Sequence, residues 1–357
     1  MIRAASGPTR PRGARIANPP LPRRVQGHVS ATSRRWADAP AGADRQPRHP
    51  GARVHGSRGA SGGPTAGERW AAHALAEVRT ARFSPGATAA FLAASFARAA
   101  ENRGGRPRLA LQARRWSAAG AGIALTARSA LARREAAVPR RGTLIAWLAF
   151  EALMLDWHLG MIEGLGGEPR AALSAADALT LARGALAPFA AAAPPSAPLF
   201  LSLLAFGGAS DLLDGRLARR AGPTRFGRDF DTLADLAFRG AAVHGARRAA
   251  WLDASAARAL AARQLLLVSG AAWHWLARSQ RPPHDPGRVA RWDAPPLLLG
   301  LACGSLGMPA AGAACVKVAA VVGALGLLRA GIADHPPAAA GSGDQPVAPA
   351  SCRASIR

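Results

Sequence analysis

Ser210-Asp-Leu-Leu-Asp-Gly-Arg-Leu-Ala-Arg-Arg-Ala-Gly-Pro-Thr-Arg-Phe-Gly-Arg-Asp-Phe-Asp-Thr-Leu-Ala-Asp235 decides how the chain is read. Asp211 and Asp214 are three residues apart and Asp231 and Asp235 four apart, so each pair shares one face of its own helix. A short arginine-rich loop joins the two helices, and apolar runs flank them. Setting four carboxylates beside membrane-length apolar segments is costly unless something cationic gathers them. A divalent metal meets that need and points to phosphate chemistry.

Outward from this stretch, the composition is uneven. The chain has 357 residues and a formal charge of +25 that comes almost wholly from arginine, since Lys317 is the only lysine. Ala, Arg, Gly and Pro dominate and tyrosine is absent, a bias of the kind GC-rich coding produces, so part of the arginine excess is expected to be mutational. Cys303, Cys315 and Cys352 have no metal-type spacing and make no disulfide framework. Residues 1–80 hold Arg, Pro, Gly, Ser and His with few large apolar side chains, and are expected to form a disordered basic region. No apolar run follows the early arginines, so no secretory signal peptide is expected. Basic patches lacking aromatics or a reading helix argue against nucleic acid as a partner.

From residue 143 onward, segments rich in Leu, Ala, Val and Gly recur at membrane-spanning length. Spans are expected near 177–193, 197–213, 230–250, 257–277, 294–308 and 310–331. Alanine makes several of them weak, and the third carries Arg239, His244, Arg247 and Arg248. Pro295, Pro296 and Pro309 stand where proline is tolerated at helix starts. The loops 216–228 and 278–291 hold clustered arginines and the opposite connections almost none, which places 211–235 at the cytoplasmic face. Upstream, 86–100 reads as an amphipathic helix with Phe91, Leu92 and Phe96 together, lying on the membrane surface. Segments 116–132 and 143–162 add one or two further helices. The fold class is therefore all-α, a polytopic helical bundle of about six spans. Its expected divisions are 1–80 (disordered), 81–170 (membrane-associated helices), 171–333 (transmembrane domain) and 334–357 (disordered tail).

As a pattern the central stretch is D-x-x-D-G-x-x-A-R, seven residues, then G-x-x-x-D-x-x-x-D. This resembles the signature of the CDP-alcohol phosphatidyltransferase family, integral membrane enzymes that make phospholipid head groups. The matching positions are Asp211, Asp214, Gly215, Ala218, Arg219, Gly227, Asp231 and Asp235. The gap between Arg219 and Gly227 is one residue shorter than the family's usual spacing, and the shortening falls in the loop. Asp177-Ala-Leu-Thr-Leu-Ala-Arg183 followed by Pro188 is similar to the start of the family's first helix, where asparagine is more usual than Asp177. The resemblance covers roughly 175–335.

The resemblance implies that Asp211, Asp214, Asp231 and Asp235 hold magnesium or manganese, two ions in all, with Asp235 also the general base toward the acceptor hydroxyl. It implies substrate contacts at Gly215, Ala218, Arg219 and Gly227, with Arg183 a further phosphate contact. The reaction would move a phosphatidyl group from a CDP-linked lipid, with CDP-diacylglycerol favoured, to an alcohol, releasing CMP. The enzyme would be a homodimer in the plasma membrane, its site facing the cytoplasm. Glycerol phosphate, serine, inositol, inositol phosphate and another lipid are all open as acceptor, and CDP-choline or CDP-ethanolamine would suit the same aspartates as donor. A membrane protein whose catalysis has lapsed, with an arm that binds anionic lipid or nucleic acid, is the rival reading. Asp229 reads as a solvated helix-start residue, Asp156 and His158 as interfacial anchors, and Trp273, Trp275 and Trp292 as interface belts. Arg239, Arg247 and Arg248 either face an anionic acceptor or snorkel.

Overall fold

The computed structural model describes residues 64–134, 137–192, 197–278 and 291–333. Among these it is helical throughout, with two isolated β-bridges, Glu163 with Pro169 and Gly164 with Thr224. In chain order the helices are α1 (Ala66–Thr80), α2 (Pro85–Gly105), α3 (Pro107–Arg133), α4 (Arg141–Trp157), α5 (Ala175–Ala191), α6 (Ala197–Ala221), α7 (Arg225–Arg248), α8 (Ala254–Arg278), α9 (Ala294–Ser305) and α10 (Pro309–Ala333). Each of the six segments expected to be a span overlaps one of the helices α5 to α10, with shifted ends.

Local chemistry sets most helix starts. Thr65 and Glu68 form a reciprocal capping box for α1, and Ser174 and Asp177 do the same for α5. Ser84 caps α2 ahead of Pro85, Pro107 opens α3, and the Thr224 hydroxyl accepts from Gly227 N–H at the head of α7. The α1 box corrects the expectation for 1–80. Ala66–Thr80 is ordered helix because its ends are capped and its Ala74 and Val78 are buried. The rest of that segment, 1–63, and the tail 334–357 lie outside the described residues.

The helix α5 packs chiefly on α7 and α6, while α10 packs on α9 and α8. One core gathers Phe200, Leu204, Phe238, Leu297, Leu301 and Val316 from α6, α7, α9 and α10. A second joins Leu109, Leu155, Leu159 and Ile162 to Phe226 and Phe230 of α7, so the helices upstream of 170 are tied to the helix bearing Asp231. A β-carbon added at Gly300 would lie 2.7 Å from the Gly312 carbonyl, so α9 and α10 cross where only glycine fits. Phe91 stacks on Trp70 and Phe96 on Trp157, which partners two rings expected at a membrane surface.

Two helices among the described residues are long and apolar enough to cross a membrane, Ala197–Ala221 and Pro309–Arg329; Ala294–Ser305 is apolar but short. The others fall below that mark because alanine adds little hydropathy and arginine recurs, as at Arg239, Arg247 and Arg248 in α7.

Candidate active site

Three helices meet at the site. The buried stripe of α5 runs through Asp177, Thr180 and Arg183; α6 presents Ser210, Asp211 and Asp214; α7 presents Asp231, Asp235 and Arg239. Spacings of three and four residues align each set along one face.

The hub is Arg183, whose side chain is only 1% exposed. Its Nη1 donates to Asp231 Oδ1 at 2.7 Å and to Asp235 Oδ1 at 2.5 Å. Its Nη2 donates to Asp214 Oδ2, and its Nε to the Ser210 hydroxyl at 3.1 Å. Asp211 Oδ1 lies 3.7 Å from Nη1. All four aspartates of the signature thus converge on one guanidinium, whose planar fork suits several carboxylates at once.

Asp211, Asp214 and Asp231 each offer an oxygen within 4.8 Å of the others, a hard-oxygen donor set of the kind magnesium and manganese take. Asp235 lies outside that triple and is shared by Arg183 and Arg239, whose Nη2 donates to Asp235 Oδ2 at 2.8 Å. Asp211 and Asp231 are 41% and 37% exposed, so an ion or phosphate can reach them from solvent.

A second layer extends the network. Arg239 Nη1 donates to Asp293 Oδ1 at 3.1 Å, and Arg263 Nη2 pairs with Asp293 Oδ2 at 2.5 Å. Five carboxylates and three guanidiniums are thereby linked, leaving a formal charge of −2, which one divalent cation would balance. Asp293 and Arg263 carry no signal in the sequence. An acid two residues before a proline pair reads as an ordinary helix start, and Asp293 joins the site only because the fold sets it between Arg239 of α7 and Arg263 of α8. Ser210 was likewise invisible as a partner.

A narrow cleft that opens to solvent starts at this network. Arg183, Asp211, Asp235 and Arg239 line its polar end, and Leu204, Phe238, Leu297 and Leu301 its apolar end.

Of the remaining expected residues, Gly215 directly follows Asp214, while Ala218, Arg219 and Gly227 lie near the end of α6 and the start of α7. Arg219 is exposed near the end of α6 and its Nη1 lies over Gly215, while Ala218 is half-buried. Gly227 stands against Asp177 and Thr224; a β-carbon there would come within 3.1 Å and 3.0 Å of their oxygens. Asp177 accepts from Ser174 N–H and hydroxyl with one oxygen and from the Thr224 hydroxyl at 3.0 Å with the other. It fastens α5 to the head of α7. Asp229 pairs with Arg228 at 2.7 Å, and Asp156 accepts from Arg103 at 2.5 Å. His158 Nδ1 is 2.7 Å from the Met154 carbonyl, and burial lowers its pKa below the ordinary histidine value. Arg247 and Arg248 are exposed, as are Trp273 and Trp292.

No curated protein and no solved structure matches this chain. A family model does, that of the CDP-alcohol phosphatidyltransferases, over residues 173–328. That interval opens one residue before the Ser174 cap and contains every member of the carboxylate network. Residues 173–328 thus carry a CDP-alcohol phosphatidyltransferase domain.

Proposed function

We propose that the protein transfers a phosphatidyl group from a CDP-linked lipid, CDP-diacylglycerol above all, to an alcohol acceptor with release of CMP. The observation that carries this reading is the convergence of Asp211, Asp214, Asp231 and Asp235 from two helices of the matched domain onto one solvent-reachable point. The donor set fits magnesium or manganese, with Asp211, Asp214 and Asp231 as the holding residues. Bound there, such ions would neutralise the diphosphate and the leaving CMP. The protein's surplus of two negative charges suits one ion, and a diphosphate supplies the charge that suits a second.

The chain's own residues do the rest. Asp235 takes the proton of the acceptor hydroxyl, and Arg239 beside it holds that carboxylate in place. Arg183 offers its guanidinium to phosphate oxygens once the aspartates are otherwise compensated. The apolar end of the cleft, with Leu204, Phe238, Leu297 and Leu301, suits a lipid portion. Gly215, Ala218, Arg219 and Gly227 line the nucleotide side.

We place the enzyme in the plasma membrane with α5 to α10 as six spans, the loop after Ala221 on the cytoplasmic face and two copies in the working unit. Support comes from the two strongly apolar helices and from Leu212, Leu265, Val318 and Val321, each more than 50% exposed, apolar side chains that lipid would cover. The test is CMP release by purified protein given CDP-diacylglycerol, magnesium and a panel of alcohols. Release with one acceptor, lost at least about a hundredfold in Asp231→Ala, is the expected result. No release with any acceptor, or full activity in Asp231→Ala, overturns it.

A further inference from the structure

The loop between the two aspartate pairs is held from outside the matched domain. Arg225 and Arg228 open α7, about two turns and one turn before Asp231 respectively, and both side chains are buried in a cluster of four charges. Arg225 Nη1 donates to Glu163 Oε1 at 2.7 Å and to the Thr65 hydroxyl at 2.8 Å. Arg228 Nη2 donates to Glu68 Oε1 at 3.1 Å, and Arg225 Nε lies 3.7 Å from the same oxygen. The four side chains of Glu68, Glu163, Arg225 and Arg228 are between 5% and 10% exposed.

Backbone contacts add to the grip. Arg225 N–H donates to the Glu163 carbonyl at 2.9 Å, and Gly164 bridges to Thr224. Arg170 Nη1 donates to the Ala221 carbonyl at 3.1 Å, beside Gly222, which turns the chain at φ +83°. Thr65, Glu68, Glu163, Gly164 and Arg170 all precede residue 173, where the family match begins.

We infer that α1 together with residues 163–170 is an internal clamp on the loop 221–228, and that Glu68 and Glu163 are positioning residues for the reaction proposed above. The physical reason is that paired charges at this burial tolerate only one arrangement, since any displacement strands a guanidinium without its carboxylate. Thr224 hands the constraint on, because it both caps α7 and donates to Asp177 of α5. The clamp therefore sets where α7 begins, and with it the placement of Asp231 and of the nucleotide end of the site. The kinetic part of this inference rests on the transfer reading; the structural part does not.

Glu68→Gln separates the two jobs of that side chain. Glutamine still accepts from Thr65 N–H in the capping box but carries no charge toward Arg225 and Arg228. Full-length protein in detergent is compared by backbone amide exchange and by initial rates. We expect exchange over residues 222–231 to quicken about tenfold while α9 and α10 are unchanged. The donor KM should rise about tenfold with kcat within about threefold, and Glu68→Asp should recover part of both. Thr65→Val, which removes the hydroxyl that Arg225 uses, should move the same amides less, and serves if Glu68→Gln does not fold. Unchanged exchange over 222–231, or a rise spread evenly over all helices, overturns the clamp. A wild-type protein that releases no CMP would sink the transfer reading, and the exchange result would still decide the clamp.

Discussion

Arg183 and Asp231, 48 residues apart in sequence and on different helices, meet at 2.7 Å in the middle of the site. The same guanidinium also serves Asp214 and Asp235, so a cationic side chain already stands where divalent metal is expected to act. Arg183 is thus the internal counter-ion of the aspartate cluster, and a divalent ion held by Asp211, Asp214 and Asp231 would compete with it for these carboxylates.

That competition can be measured. Arg183→Ala removes the buried cation and leaves the carboxylates mutually repelling, which should destabilise chelator-treated protein by about 3–5 kcal/mol. Manganese should then stabilise the variant more than it stabilises the wild type, because binding no longer has to displace a side chain. Thermal unfolding with chelator and across a manganese titration checks this. Equal metal-induced shifts in the two proteins would count against competition.

Asp293 stands between two guanidiniums, Arg239 and Arg263. Asp293→Asn should cost about 3–5 kcal/mol by stranding them. Replacing the outer pair together, as Asp293→Asn with Arg263→Leu, should recover part of that loss. The coupling in the double-mutant cycle, read by thermal unfolding, should exceed about 1 kcal/mol. Additive losses would mean that the pair is not linked.

Gly207 of α6 lies against the ring of Phe238, and a β-carbon there would fall inside contact distance of it. Gly207→Ala should therefore destabilise by about 1–3 kcal/mol, and Phe238→Leu in the same chain should relieve it. Because both residues border the cleft, the acceptor or donor KM should change with them. Unfolding curves for the two single variants and the pair give the answer.

His158 supplies a pH signature. Burial lowers its folded pKa below the unfolded value near 6.5, so the unfolded chain binds the proton more readily. Stability is therefore full above about pH 6.5 and declines as pH falls through that value toward the folded pKa, at up to about 1.4 kcal/mol per pH unit. His158→Gln should flatten this decline below about pH 6.5. The check is denaturant unfolding at several pH values; an unaltered slope would show that another group titrates there.

Much of the site was legible because its chemistry is written at helical spacing. Asp211 with Asp214 and Asp231 with Asp235 announce two helix faces, and Gly215, Ala218 and Arg219 give them a family likeness. The helices α5 to α10 followed from runs of apolar residues and from prolines at their starts. The order in Ala66–Thr80 was hidden by its basic, alanine-rich surroundings, although the Thr65 and Glu68 cap was there to be read.

What composition and spacing determined by themselves was the all-helical class, the acid pairs and the kind of ion they suit, since these depend only on residue type and periodicity. The tertiary structure alone decided that Arg183 sits among the four aspartates, that Asp293 anchors Arg239, and that Glu68 reaches Arg228 across 160 residues. Those pairings arise from helices crossing in space, and no local pattern encodes which distant charge a buried guanidinium will meet.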